Sequence, residues 1–121
     1  MTTLWHFTCD HGYSGLGERG RLRPNKHTML PGLGSLIWLT DDPAPDRDAV
    51  GLTSQFLTCD RMLYRYRVLT PGRCVKWTAL RHRADPDTRQ VLESYGEPET
   101  WWISFEPLVA VLDNEARERA A

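Results

Sequence analysis

Leu36-Ile37-Trp38-Leu39-Thr40 runs directly into Asp41-Asp42-Pro43-Ala44-Pro45, and this join decides how the chain is read. The apolar and β-prone run makes a strand. The two prolines end it, because proline has no N–H to give a sheet interior. Working outward, Leu4-Trp5-His6-Phe7-Thr8 and Glu99-Thr100-Trp101-Trp102-Ile103-Ser104 have the same character, each setting one polar group among large apolar side chains. Val, Ile, Trp, Tyr and Phe concentrate in short runs separated by Gly and Pro, which predicts strands with intervening turns.

Between the first two runs, residues 12–34 hold Gly12, Gly15, Gly17, Gly20, Gly32, Gly34 and two prolines. They read as a long loop with one helical turn around Tyr13–Arg19, a candidate ligand-binding flap. After Pro45, Asp46 or Asp48 caps a helix through about Leu57. Met62 to Val68 alternates, with Tyr64, Tyr66 and Val68 on one face and Arg65 and Arg67 on the other, as in a half-exposed strand. Pro71-Gly72 turns the chain, and Cys74–Leu80 reads as a further short strand. Asp85 or Asp87 caps a helix through Tyr95, with Gly96 as its stop. Trp101 to Leu112 reads as two strand pieces joined by a bend or bulge at Pro107, and Asn114–Ala121 as a fraying polar end. The sum is a strand-rich α+β fold in a single domain over residues 1–121.

Five tryptophans and 40% hydrophobic residues supply one core. No apolar run approaches the roughly 20 residues of a membrane helix, and no signal-peptide pattern opens the chain, so the expected location is cytoplasmic. Cys9, Cys59 and Cys74 form no CxxC pair and read as reduced, buried small hydrophobes. His6-x2-Cys9-x-His11 fits none of the usual zinc spacings, and no metal is expected. The net charge is −1. Residues 61–89 nevertheless carry eight Arg or Lys against Asp85 and Asp87, and residues 90–121 seven acids against Arg117 and Arg119. That asymmetry suits either a phosphate-bearing ligand or two solvated surfaces that attract each other.

His6 is either a half-buried core histidine bonded to backbone or a donor to a ligand hydroxyl in a cleft. Trp38, on the face of Leu36 and Thr40, is either core or a platform for a planar heterocycle. Glu97-Pro98-Glu99 lies just before Trp101-Trp102. Its carboxylates are either solvated or aimed into a cleft, where one could stabilise positive charge on a sugar carbon; Glu106, next to Pro107, is the weaker candidate.

A His in the first strand, an aromatic in the second and a Glu opening a late strand together resemble the His-Tyr-Glu class of ADP-ribosyltransferases. The layout is most similar to the small rifamycin-inactivating ADP-ribosyltransferases: His then Thr in the first strand, an aromatic second strand ending in Thr, an aromatic strand like Leu63–Val68, and a final segment like Phe105-Glu106-Pro107-Leu108. The resemblance implies a compact split β-sheet sandwich with a few short helices, and NAD as cosubstrate. It implies that His6 holds the adenosine-side ribose, Trp38 stacks on nicotinamide, and Glu99 bonds the 2-hydroxyl of the nicotinamide ribose. His6, Thr8, Trp38 and Thr40 then line the NAD site, with Glu99, His6 and Trp38 catalytic. Trp stands where the family has Tyr, and the Glu97-Pro98-Glu99 spacing is that of the arginine-modifying class, so Glu97, Glu99 and Glu106 all stay open as the catalytic carboxylate. RNA 2′-phosphotransferases share the fold and a Trp-Leu-Thr-like second strand.

The chemistry matches the residue set, since a fixed carboxylate favours the oxocarbenium-like transition state and an indole attracts the cationic nicotinamide ring. The acceptor of ADP-ribose, whether protein, nucleic acid or small molecule, is open. A role as a toxin or as a phage or bacterial defence-related factor is compatible with this reading. The alternative is a non-catalytic nucleic-acid-binding module using Arg65, Arg67, Arg81 to Arg83 and nearby aromatics.

Overall fold

In the computed structural model, residues 2–26, 30–45, 64–94 and 96–114 are described. The helix expected after Asp46, the start of the strand at Met62 and Leu63, Cys59 and the tail beyond Asn114 lie outside them. The described chain forms β1 (Trp5–Thr8), α1 (Asp10–Leu16), β2 (Arg19–Leu22), β3 (Asn25–Lys26), β4 (Ser35–Thr40), β5 (Tyr64–Val68), β6 (Val75–Lys76), α2 (Trp77–Leu80), α3 (Pro86–Glu93), β7 (Trp101–Ser104) and β8 (Leu108–Leu112). It is an α+β protein. Every strand pairing is antiparallel, in the order β2-β8-β5-β1-β4-β7-β6 with β3 on β4.

The pairing is uneven. β1 runs alongside β5 from Trp5↔Arg67 to Thr8↔Tyr64, whereas β1 meets β4 at Trp5↔Thr40 alone. The sheet is therefore two well-paired halves joined at a thin seam. It also curls: β2 is a margin strand, yet residues 23 and 24 suffice to link it to β3 beside β4. In a flat sheet that link would cross at least three strand spacings, about 14 Å, more than the ~11 Å reach of three extended residues. The curl gives the sheet an inner face, where Leu22, Tyr66, Val68, Leu108 and Ala110 of one half meet Ile37 and Leu39 of the other in one buried cluster. On the opposite face, Leu36, Trp101 and Ile103 pack with Leu30, Leu33, Trp77 and Ala84 in a second cluster, fringed by Leu80 and Leu92.

The glycine-rich stretch is more ordered than its composition suggests, since it holds α1, β2 and β3 instead of a long flap. Gly12 is required where α1 crosses β1, because a Cβ there would collide with the Thr8 hydroxyl, and Gly17 ends the helix at φ 67°. Cys74–Leu80 likewise departs from the strand reading: the paired strand is Val75 and Lys76 alone, and α2 follows. A short apolar run fits either structure, and the burial of Trp77, whose Nε1–H donates to Glu93 at 2.7 Å, selects the helical turn. Of the two candidate caps, Asp85 is the one used at α3, its carboxylate accepting from the Thr88 N–H at 3.2 Å. The break at Pro107 is a separation and not a bulge. β7 pairs with β4 and β6, β8 pairs with β5 and β2, and the Ser104 hydroxyl bonds both the N–H and the carbonyl of Glu106 at the bend. No helix among the described residues is long and apolar enough to cross a membrane.

Candidate active site

Strand register sorts the predicted site residues before any distance is considered. His6 and Thr8 alternate with Trp5 and Phe7, and their partners Tyr66 and Tyr64 stand on the inner face. Trp5 pairs with Thr40, so Thr40 and Trp38 project from the opposite, outer face. His6 and Trp38 are thus neighbours through backbone but not through side chains.

That backbone contact is specific. His6 Nδ1 lies 2.9 Å from the Trp38 carbonyl oxygen at the thin seam, where the ring supplements the sparse β1–β4 pairing. A carbonyl can only accept, so Nδ1 carries the proton and Nε2 of the neutral ring carries the lone pair. None of the described residues bonds Nε2. Burial lowers the His6 pKa below its ordinary value of 6.5, and the carbonyl contact opposes this only in part. The imidazole is therefore held neutral and oriented.

The inner face also carries three tyrosines that the sequence reading did not assign to the site. Tyr13 of α1 stacks on Tyr64 of β5 with ring centroids 4.5 Å apart and planes 8° from parallel. Tyr66, directly opposite His6, donates its hydroxyl to the Gly17 carbonyl at 2.6 Å, and burial with its two tyrosine neighbours pushes its pKa up to about 12. The alternation of Tyr64 with Tyr66 was visible in the sequence. The register that sets them beside His6 was not.

The outer-face residues have other occupations. Trp38 is half-buried and packs against Trp77 at 5.3 Å and edge-on to Trp101 at 5.7 Å, at the edge of the second core cluster. The Thr40 side chain is buried and accepts the Asp42 N–H at 3.1 Å, closing the turn that leads to Pro43. Glu99 is exposed in a 3-10 turn, Pro98–Thr100, that opens β7. This turn is tied to the end of β4 by the Asp41 N–H to Thr100 carbonyl bond and the Trp101↔Thr40 pair, near the seam. Glu97 is exposed as well, and Glu106 is engaged by Arg73 at 2.8 Å.

Arg65 corrects the reading of β5 as a strand with two solvated arginines. It is 0% exposed, its guanidinium lies 3.9 Å from the centre of the Trp5 ring, and it donates to the carbonyls of Pro43 and Asp113 at 2.7 Å each and to the Asp113 carboxylate at 3.2 Å. Its backbone N–H also binds the Asn114 side chain, so the start of the expected fraying end is held. With every guanidinium nitrogen used internally, Arg65 is not available to a nucleic acid. Arg81 is paired with Glu93 at 3.4 Å. Cys9 and Cys74 are buried and outside any disulfide, and burial pushes Cys74 up to about 11. No protein-family model matches the chain, and neither a curated protein nor a solved structure gives a significant match.

Proposed function

We propose that this chain is an NAD-dependent ADP-ribosyltransferase, acting in the cytoplasm, that breaks the nicotinamide–ribose bond and passes ADP-ribose to an acceptor that is a protein, a nucleic acid or a small molecule. The observation that carries the reading is His6: a neutral imidazole pinned by Nδ1 to the Trp38 carbonyl, its lone pair on Nε2, at the seam of a curled sheet and beside a parallel tyrosine pair. The seam between the two sheet halves is what supports reading the architecture as an ADP-ribosyltransferase-like split sandwich.

In this proposal His6 Nε2 accepts a ribose hydroxyl of NAD, and the fixed Nδ1 contact keeps the ring from turning away. The aromatic role moves from Trp38, which is committed to the outer cluster, to Tyr64, against which the nicotinamide ring takes the place that Tyr13 holds. Thr8 borders this face, while Thr40 supports the turn behind it. Glu99 is the carboxylate set against the positive charge that grows on the ribose carbon as nicotinamide leaves, and NAD itself supplies the activated glycosidic bond. Unlike Glu106, Glu99 has no cation paired with it among the described residues.

Nicotinamide release from NAD, with and without candidate acceptors, tests the proposal. Wild type is expected to release nicotinamide, and Glu99→Gln to keep the fold while losing on the order of 100-fold in rate. Full activity in Glu99→Gln alongside a dead Glu97→Gln would move the catalytic carboxylate. No release by wild type under any acceptor would end the enzyme reading.

A further inference from the structure

Within the basic segment Arg65, Arg73 and Arg81 are engaged by neighbouring groups, whereas Arg67 joins two arginines of β2 on the outer face of the β2-β8-β5 half of the sheet. Val111 of β8 is flanked by Arg19 of β2 on one side and Arg67 of β5 on the other. Arg21 stands one step along β2, opposite Val109. Paired residues in an antiparallel sheet share a face, so Arg19, Arg21 and Arg67 project together. Arg19 and Arg21 are about 7 Å apart along the strand, and Arg19 and Arg67 about 10 Å apart across it. All three are exposed, and Val109 and Val111 between them are half-buried. Among the described residues, Asp113 is the carboxylate on this face; it is shared between Arg65 and Arg67, at 3.2 and 3.6 Å, and no described acid pairs with Arg19 or Arg21. Glu18, at the head of β2, is the nearest other acid in sequence.

We infer that this outer face of β2, β8 and β5 docks the phosphodiester backbone of a nucleic acid. Guanidinium forks match phosphate oxygens bidentately, and their separations let several phosphates be gripped at once without reading bases. A membrane surface fits less well. The exposed large hydrophobics of the described chain, Val75, Val91 and Phe105, lie elsewhere, so nothing on this face would insert between lipids. The inference is independent of the ADP-ribosyltransferase proposal, because His6 and the tyrosines stand on the inner face; if both hold, the face would present a nucleic-acid acceptor.

The test is fluorescence anisotropy of labelled single-stranded RNA, single-stranded DNA and duplex DNA, without NAD, over about 50 to 200 mM salt. Wild type is expected to bind, with affinity falling steeply as salt rises. The double variant Arg19→Gln/Arg21→Gln is expected to bind at least about tenfold more weakly at low salt, and its logarithmic salt slope on single strands to flatten by about 1.4, as for two lost phosphate contacts. Arg81→Gln/Arg83→Gln, at the other end of the sheet, is expected to bind as wild type does. The inference is overturned if no nucleic acid binds, if the Arg81/Arg83 variant is the one that weakens, or if anionic phosphatidylserine vesicles bind wild type while the oligonucleotides do not. None of these outcomes bears on nicotinamide release, so the two proposals fail separately.

Discussion

Two aromatic groups stand on opposite faces of one sheet, and they use their polar edges differently. On the outer face Trp38, Trp77 and Trp101 interlock at tilted and edge-on angles, and the Trp77 N–H is consumed by Glu93. On the inner face Tyr13 and Tyr64 lie flat on each other, beside a histidine whose second nitrogen no described residue bonds. The first arrangement is what a core does with large rings, burying area and satisfying the polar atom. The second sets two parallel rings at the edge of the first core cluster, next to a histidine held through one nitrogen. An aromatic strand therefore does not identify a ligand platform; the polar atoms around it do.

The comparison breaks most visibly at Trp77, which is fully buried at the centre of the tryptophan group. Trp77→Ala is expected to cost about 3–5 kcal/mol, through the cavity it leaves and the orphaned Glu93 contact. Chemical denaturation measures this, and a loss under about 1 kcal/mol would show that the outer cluster is loosely packed.

Tyr64→Ala is the complementary change. It removes one of two stacked rings from a partly exposed site, so the fold should persist while NAD binding weakens about tenfold, the worth of one aromatic stack. Trp38→Leu should do the reverse, lowering stability and leaving NAD affinity within about twofold, because the indole packs on Trp77 and Trp101 on the outer face. Calorimetric titration of both variants decides between them. If Trp38→Leu abolished NAD binding and Tyr64→Ala did not, the stacking role would return to the outer face.

The smallest effect is the pH dependence of His6. Its folded pKa lies below 6.5, so the unfolded chain takes up a proton that the folded chain refuses. This contribution to stability is complete above pH 6.5 and is lost as pH falls from there through the lowered folded value. His6→Asn, which can still donate to the Trp38 carbonyl but does not titrate, should flatten the stability profile in that window. An unchanged slope would mean that His6 is as free to protonate when folded as when unfolded.

Much of the local structure was legible. The strands at Trp5, Leu36, Tyr64 and Trp101, the Asp85 cap and the stop at Pro43 follow from alternation and from groups that accept or lack an N–H. The clearest departure has a physical cause. Cys74–Leu80 is a short run that satisfies both helix and strand templates, and a partner 16 residues away, Glu93 for Trp77, accompanies the helical choice. For the candidate site, the sequence named His6, Thr8, Trp38, Thr40 and Glu99 but not their sorting onto faces, since one ladder pair, Trp5↔Thr40, fixes which side each strand residue occupies.

The sequence by itself determined an α+β, strand-rich chain, the polar atom carried by each aromatic strand, and the capping of its last helix, because these depend on neighbours within a few residues. Only the tertiary structure decided that Arg65 is interior while Arg67, two residues on, is exposed, that the sheet curls, and that tyrosines and not tryptophan accompany His6. Strand alternation gives every residue a side, but which side is inner is settled by register and curl, and those arise from hydrogen bonds between segments far apart in the chain.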